Sequence, residues 1–230
     1  MGIMSKIQYR KRFKINNIRD IPFIQLNIDI DHERLLSEYK EVEKRYSFEN
    51  YNTNYSIVKE KYANAWSGIC LISSGGELYS DLHEGKSSAS TTTELKNICP
   101  YYYELISNLG GDRFRARIMR IAPRESLVWH SHVLEHGQAE WLLTCQVPII
   151  MPNNFEYCVV HKDDFNPSKR FYKPEQFKKI WRKKLSVGKA YIFNSYHYHN
   201  VFNYTDEYRV TLMLYLDSRT EKVKRNLIKI

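Results

Sequence analysis

The sequence predicts a mainly β protein: a body of antiparallel strands in two facing sheets, set behind an N-terminal support that includes helices. Three observations predict this. From Phe114 onward the chain is a succession of short runs rich in β-branched and aromatic residues, FRARIMRIA, EWLLTCQVPIIM, FEYCVV, SVGKAYIFN, HNVFNY and YRVTLMLYLD, separated by turn signals. Ahead of them, Leu35, Tyr39, Val42 and Tyr46 recur at four- and three-residue steps, the spacing of one helix face. No internal repeat or long linker divides the chain, and 230 residues suffice for one domain with a real core.

Taken in order, the first 25 residues, basic and then IPFIQLNIDI, read as an extended lead-in. A helix follows from about Asp31, with Asp29 or Asp31 as its cap. WSGICLISSGGELYSD is a strand leading into a glycine turn, and the small polar residues 85–93 form a loop. A short helix over about 94–108 suits Pro100 in its first turn and ends at Gly110-Gly111. Residues 161–185 interrupt the strands. A helix is expected there after Pro174, with Phe177, Trp181 and Leu185 on one side and lysines and Arg182 on the other, as a cover or as a basic rim over a site. The expected organisation is a single domain over 1–230: support over 1–110, β core over 111–218 and a tail over 219–230.

The formal charge of +9 favours an anionic partner or simply solubility. No apolar run is long enough to span a bilayer, and the N-terminus lacks the apolar stretch of a secretory signal. Lys6 stands where a myristoylation signal wants Ser or Thr. Cys70, Cys99, Cys145 and Cys158 are scattered, as suits reduced thiols. A cytoplasmic protein without membrane association is expected.

The chemistry gathers in VWHSHVLEHG, residues 128–137. Alternation along a strand lets His130 and His132 face one side while Ser131 points away. His136 falls beyond, in a turn. A second pair, His197 and His199, lies in SYHYHNVF, where alternation points His197 the other way as a structural residue. His32, His83 and His161 read as surface residues. In YRVTLMLYLD, Arg209 shares a face with Thr211, Met213 and Tyr215, opposite Val210, Leu212, Leu214 and Leu216. An arginine in a mainly apolar strand is costly to bury unless it meets an anion, and a carboxylate held by its two-pronged guanidinium resolves that cost. Iron with an organic acid cosubstrate fits the histidines, the barrel and the arginine; zinc fits only the first two.

RARIMRIAPRESLVWH followed by GKAYIFNSYHYHNVFNYTDEYRVTLMLYLD resembles the aspartyl/asparaginyl β-hydroxylase family of iron(II)- and 2-oxoglutarate-dependent oxygenases, which includes bacterial proline hydroxylases. The resemblance covers roughly residues 95–218, in the spacings Pro123 to His130, Phe193 to His199 and His199 to Arg209. It implies a double-stranded β-helix, a jelly-roll or cupin-like barrel, with flanking N-terminal helices and the insertion at about 161–185. It implies His130 and His199 as iron ligands and Arg209 as the partner of the distal carboxylate of 2-oxoglutarate. With Fe(II) and O2, such an enzyme hydroxylates a C–H bond and releases succinate and CO2.

This chain departs from the family pattern in several places. His132 occupies the position of the usual aspartate, so a three-histidine site is expected at His130, His132 and His199, or else His132 faces substrate. Thr144 and Gln146 stand where the family often holds the cosubstrate's other end with an arginine and a histidine. Arg124 follows Pro123 where the family has glycine.

Substrate contacts are expected from Trp129 beside His130, from His136, and from Arg120, one of two arginines with Arg117 on opposite faces of one strand. The expected substrate is a small molecule or peptide, acidic or zwitterionic: an amino acid, or an Asp, Asn or Pro residue. The competing readings are a three-histidine dioxygenase that needs no 2-oxoglutarate and, with least support, a non-catalytic module binding nucleic acid or protein through the basic insertion.

Overall fold

The structure is a computed structural model that describes residues 21–50, 65–80, 91–132, 137–169 and 172–228. Its strands are β1 (Phe23–Leu26), β2 (Glu49–Asn50), β3 (Trp66–Ser73), β4 (Thr91–Thr92), β5 (Ala116–Ile121), β6 (Leu142–Ile150), β7 (Phe155–Val160), β8 (Trp181–Lys183), β9 (Ala190–Phe193), β10 (Tyr198–Asn203) and β11 (Arg209–Asp217). The α-helices are α1 (His32–Arg45), α2 (Pro100–Leu109) and α3 (Glu221–Ile228). The last of these lies in the stretch expected to be a tail.

The helix boundaries follow from local chemistry. The Asp31 carboxylate accepts the Arg34 N–H at 3.0 Å, and Leu35, Tyr39 and Val42 are the buried stripe of α1. In α2, Pro100 occupies the first turn. Gly110 closes the helix at φ 88° with its N–H on Ile106 and Ser107, a conformation that favours glycine. Any Cβ on Gly111 would sit 2.5 Å from Leu214 Cδ1.

Two antiparallel sheets form the body. The major sheet runs β1-β9-β6-β11-β5-β3-β2, with β4 also on β3; the minor sheet runs β10-β7-β8. The fold is therefore mainly β, antiparallel and jelly-roll in character, as the sequence predicts. Because β11 is central, flanked by β5 and β6, both its faces are buried. Val210, Leu212, Leu214 and Leu216 join the helices in one core, while the other face looks toward the minor sheet. Pro148 in β6 cannot donate to the ladder, and the β6–β11 register shifts at Val210/Thr211, opposite it. Between the sheets, Ile121, Phe155, Tyr157, Tyr191, Phe193 and Val201 pack together.

The insertion differs from expectation. Among the described residues of 161–185 there is no α-helix. Three single 3-10 turns (Lys162–Asp164, Pro167–Lys169 and Pro174–Gln176) lead to β8, which pairs with β7. Trp181, Arg182 and Lys183 pair with the edge of β7 instead, so strand pairing overrides the helical spacing. Phe165 and Phe177 cover the outer face of the minor sheet with Cys158, Val160, Tyr198 and Phe202. The insertion is thus an outer cover whose Lys178, Lys179 and Lys184 face solvent.

Candidate active site

The site is built by strand register. Residues 126–130 run antiparallel to β10. His130 and His199 exchange both backbone hydrogen bonds, N–H to O=C at 3.2 and 2.9 Å. Directly opposite residues of an antiparallel pair present their side chains on one face, and the two imidazole centroids lie 4.3 Å apart. His132, two residues on, projects to the same side, its backbone tied to Ser195 O at 3.0 Å. Its ring lies 5.3 Å from that of His130 and 4.8 Å from that of His199. One potential ligand atom from each of the three lies within 4.8 Å of the others. Ser131 points away, as alternation requires, and its hydroxyl donates to the carbonyls of Ser195 and Tyr196.

The Nδ1 of each imidazole has a partner. His130 Nδ1 meets Val128 O at 2.9 Å and His199 Nδ1 meets His197 O at 3.1 Å. A carbonyl accepts only, so both Nδ1 atoms carry the proton and Nε2 is left as the basic nitrogen. His132 Nδ1 lies 3.3 Å from Thr144 Oγ1, which donates to Ser195 Oγ at 3.2 Å. This tethering is what a metal-binding imidazole requires: orientation and tautomer set from behind.

Arg209 stands on the wall of the same cavity, buried, with its guanidinium 5.0 Å from the Phe155 ring centroid. Its Nη2 donates to Gln146 Oε1, while Nε, also buried, has no hydrogen-bond partner among the described residues. Burial pulls its pKa down from the usual arginine range to about 10, against an opposing pull from Tyr157. Tyr157 lines the cavity too, stacked on His199 at 6.1 Å and 12°. Burial pushes its phenol well above the usual range, and the charge of Arg209 offsets part of that. Three imidazoles fixed from behind fit an iron, and a buried guanidinium with an unused donor fits a carboxylate-bearing cosubstrate.

Several expected contacts fall elsewhere. Gln146 lines the cavity and holds Arg209, but the Thr144 hydroxyl sits behind His132. Trp129 is a correction: when His130 points inward its neighbour must point outward. Its ring is fully buried against Phe177, at 4.8 Å, with Nε1–H donating to Tyr172 O. Arg120 is a second correction. It lies on the helix-side face of β5, donating to Tyr39 Oη and Glu43 and stacked 3.5 Å over Phe48, so Arg117 is the inward member of the pair. His136 lies outside the described residues, as does His83. His197 is structural: its ring is buried and its Nδ1 accepts the Lys162 N–H at 3.4 Å. His32 is tied to Ile149 O at 2.8 Å rather than free on the surface. Sequence reasoning passed over Tyr157, although alternation with Phe155 and Val159 in FEYCVV marks it as inward once β7 is paired with His199.

Comparison with known proteins agrees with this geometry. The family model for "Aspartyl/Asparaginyl beta-hydroxylase" matches residues 30–218, extending well ahead of the motif-bearing stretch. The chain belongs to the aspartyl/asparaginyl β-hydroxylase family. Its family is one of hydroxylases, so the chain is an enzyme.

Solved structures share its fold. A 2-oxoglutarate–Fe(II) oxygenase-family oxidoreductase from Burkholderia pseudomallei matches with a TM-score of 0.54 at 12% identity, over 94% of this chain and 92% of that one. A prolyl hydroxylase from Trichoplax adhaerens, solved with a hypoxia inducible factor peptide fragment, gives 0.54 at 11% identity over 98% and 97%. The non-haem α-ketoglutarate-dependent carbocyclase SnoK of nogalamycin biosynthesis gives 0.53 at 10% identity over 91% and 84%. No curated protein matches the chain by sequence. Among the described residues, no helix is long and apolar enough to cross a membrane.

Proposed function

We propose that this enzyme hydroxylates a C–H bond of an amino acid, or of an Asp, Asn or Pro residue in a peptide, forming succinate and CO2 from 2-oxoglutarate. His130, His132 and His199 hold the iron through Nε2. Arg209, aligned by Gln146, receives the distal carboxylate of 2-oxoglutarate. The bound iron supplies the activation of O2 against the cosubstrate. The protein's own part is orientation and exclusion. Val128 O, His197 O and Thr144 Oγ1 hold the three rings from behind. Tyr157, Phe193 and Met213 line the walls and keep water out. The four cysteines are buried free thiols, which suits a reducing compartment, and we read the location as cytoplasmic.

One observation carries the reading: three tethered imidazoles and a buried guanidinium with an unused Nε face a single cavity. The test is anaerobic titration of the Fe(II)-loaded protein with 2-oxoglutarate. A weak visible charge-transfer band is expected, lost in Arg209→Met. No band, and no succinate on admitting air with a substrate panel, refutes it. Among the described residues no carboxylate joins the three histidines, which favours a second reading, a dioxygenase that oxidises its substrate without 2-oxoglutarate. Substrate turnover at an unchanged rate in 2-oxoglutarate-free buffer decides for it.

A further inference from the structure

The cavity that holds the three imidazoles has two unlike ends. Trp66, Ile121 and Arg209 stand in one row across β3, β5 and β11, directly opposite one another in register. Their side chains therefore share the inward face. Adjacent strands lie ~4.8 Å apart, which sets Trp66 about 10 Å across the sheet from Arg209. At the Arg209 end the lining is closed off: Arg209 is 2% exposed, Gln146 5% and Tyr157 1%. At the other end Trp66 and Leu127 are half-exposed, and so is the neighbouring His130. Every other described residue of the lining is buried. The cavity thus opens between Trp66 and Leu127 and closes on Arg209.

This mouth is apolar up to the metal-binding rings. The Trp66 indole lies 6.5 Å from the His130 ring, inclined at 40°. Leu127 sits on the minor-sheet side, its N–H donating to Val201 O at 3.2 Å. Val201 follows His199 on the inward face of β10. Met119, Ile121 and Met213 continue the wall on the major sheet. The polar members of the lining are engaged: Gln146 holds Arg209, and Asn200 Oδ1 accepts the Val201 N–H at 2.7 Å. Arg209 is the one arginine or lysine among the described lining residues, and it stands at the end that receives the cosubstrate. A substrate carboxylate entering by the mouth exchanges water for indole and aliphatic carbon and meets no cation of its own, a costly transfer. An apolar group gains from the same transfer.

We propose that Trp66 and Leu127 determine specificity, and that the side chain they admit to the three histidines is uncharged and apolar, aliphatic or a saturated ring such as that of leucine or proline. The polar backbone of the substrate stays at the mouth, in water. The inference rests on the proposed function and narrows its substrate class, away from the acidic or zwitterionic substrate expected from the sequence.

The test uses the Mn(II)-loaded protein with 2-oxoglutarate under anaerobic conditions and follows binding by calorimetry. The probes are the N-acetyl, N-methylamide derivatives of leucine, proline, asparagine and aspartate. The side chains of leucine, asparagine and aspartate share one branched shape and differ in polarity and charge. The leucine or the proline probe should bind about tenfold or more tightly than the asparagine and aspartate probes, the scale of burying one aliphatic side chain. Trp66→Ala should lose most of that preference, and Trp66→Phe should keep part of it. Leu127→Arg, at a half-exposed position, should turn the preference toward aspartate, a reversal that a merely structural role does not produce. In all three variants 2-oxoglutarate affinity should match that of the parent. Equal or tighter binding of the asparagine or aspartate probe by the parent overturns the proposal. So does binding of none of the four probes, or a preference unmoved in folded Trp66→Ala and Leu127→Arg. Failure of the parent protein to bind 2-oxoglutarate refutes the proposed function instead.

Discussion

Replacing Arg209 by Met should strengthen the ligand-free protein while disabling it. The guanidinium is buried, and its pKa is lowered from the usual arginine range to about 10 by that burial. At about 1.4 kcal/mol per pKa unit, holding the charge costs the fold roughly 3 kcal/mol. The sign is that of a depressed base: the cost is fully present below pH 10 and fades as pH rises from 10 toward the ordinary arginine range. Met fills similar space without charge. Against the gain stands Gln146 Oε1, which loses its donor at a cost of about 1–2 kcal/mol. The net expectation is a stabilisation of about 1–2 kcal/mol, or roughly 2–8 °C in Tm for a chain of this size. The cosubstrate tells the opposite story: losing one partner of a buried charge-assisted pair costs about 2–5 kcal/mol, at least ~30-fold in 2-oxoglutarate affinity. Thermal denaturation without ligands and calorimetry with 2-oxoglutarate measure the two halves. A variant that melts lower and still binds 2-oxoglutarate like the parent refutes both the burial argument and the role of Arg209.

Thr144→Val keeps the side-chain shape but removes the hydroxyl behind His132 Nδ1. Iron affinity should fall about 10–100-fold in a competition assay with a chelator, and an unchanged affinity means that His132 is no ligand. Arg124 sits at φ 59°, the left-handed region that favours glycine. Arg124→Gly relieves roughly 1 kcal/mol of that cost and loses an exposed pair with Asp206 that solvent largely screens. Urea unfolding should therefore show it no less stable than the parent, and a loss above ~2 kcal/mol contradicts this reading of the turn. Trp129→Phe should destabilise by about 1–3 kcal/mol through lost packing and the lost bond to Tyr172 O. Substrate preference should be unchanged in it; an altered preference returns Trp129 to the site.

Much of the site was legible because period-two alternation is a local property. It predicts that His130 and His132 share a side, that Ser131 and His197 do not join them, and that β11 divides into an arginine-bearing face and an aliphatic face. All of this holds in the structure. The same alternation could not say which of Arg117 and Arg120 faces inward. That depends on which side of β5 the helix α1 covers, a question settled by Tyr39 and Glu43, some eighty residues away. The insertion misled for a related reason. Phe177, Trp181 and Leu185 keep helical spacing, but a strand edge twenty-two to twenty-six residues away offered Trp181, Arg182 and Lys183 a ladder to join. Phe177 meanwhile packs on Trp129.

The unusual H-x-H and the Arg124 turn were visible in the sequence as departures from the family pattern, and each has found a physical setting. His132 takes its place beside the other two imidazoles through the hydroxyl of Thr144. Arg124 tolerates a glycine's conformation with its guanidinium on Asp206 and Tyr204 O.

By itself the sequence determined what is written in short-range pattern: the helix caps, the strand faces, the motif spacings that name the family, and the residue types able to hold iron and a dicarboxylate. The tertiary structure decided what those patterns meet. It joined His130 to His199 by reciprocal backbone bonds across 69 residues and seated Arg209 in the centre of a sheet, where its charge is costly without an anion. It also turned Arg115 and Arg117 inward beside Tyr215. A strand's faces are set by its own backbone, but which face becomes interior is set by what packs against it.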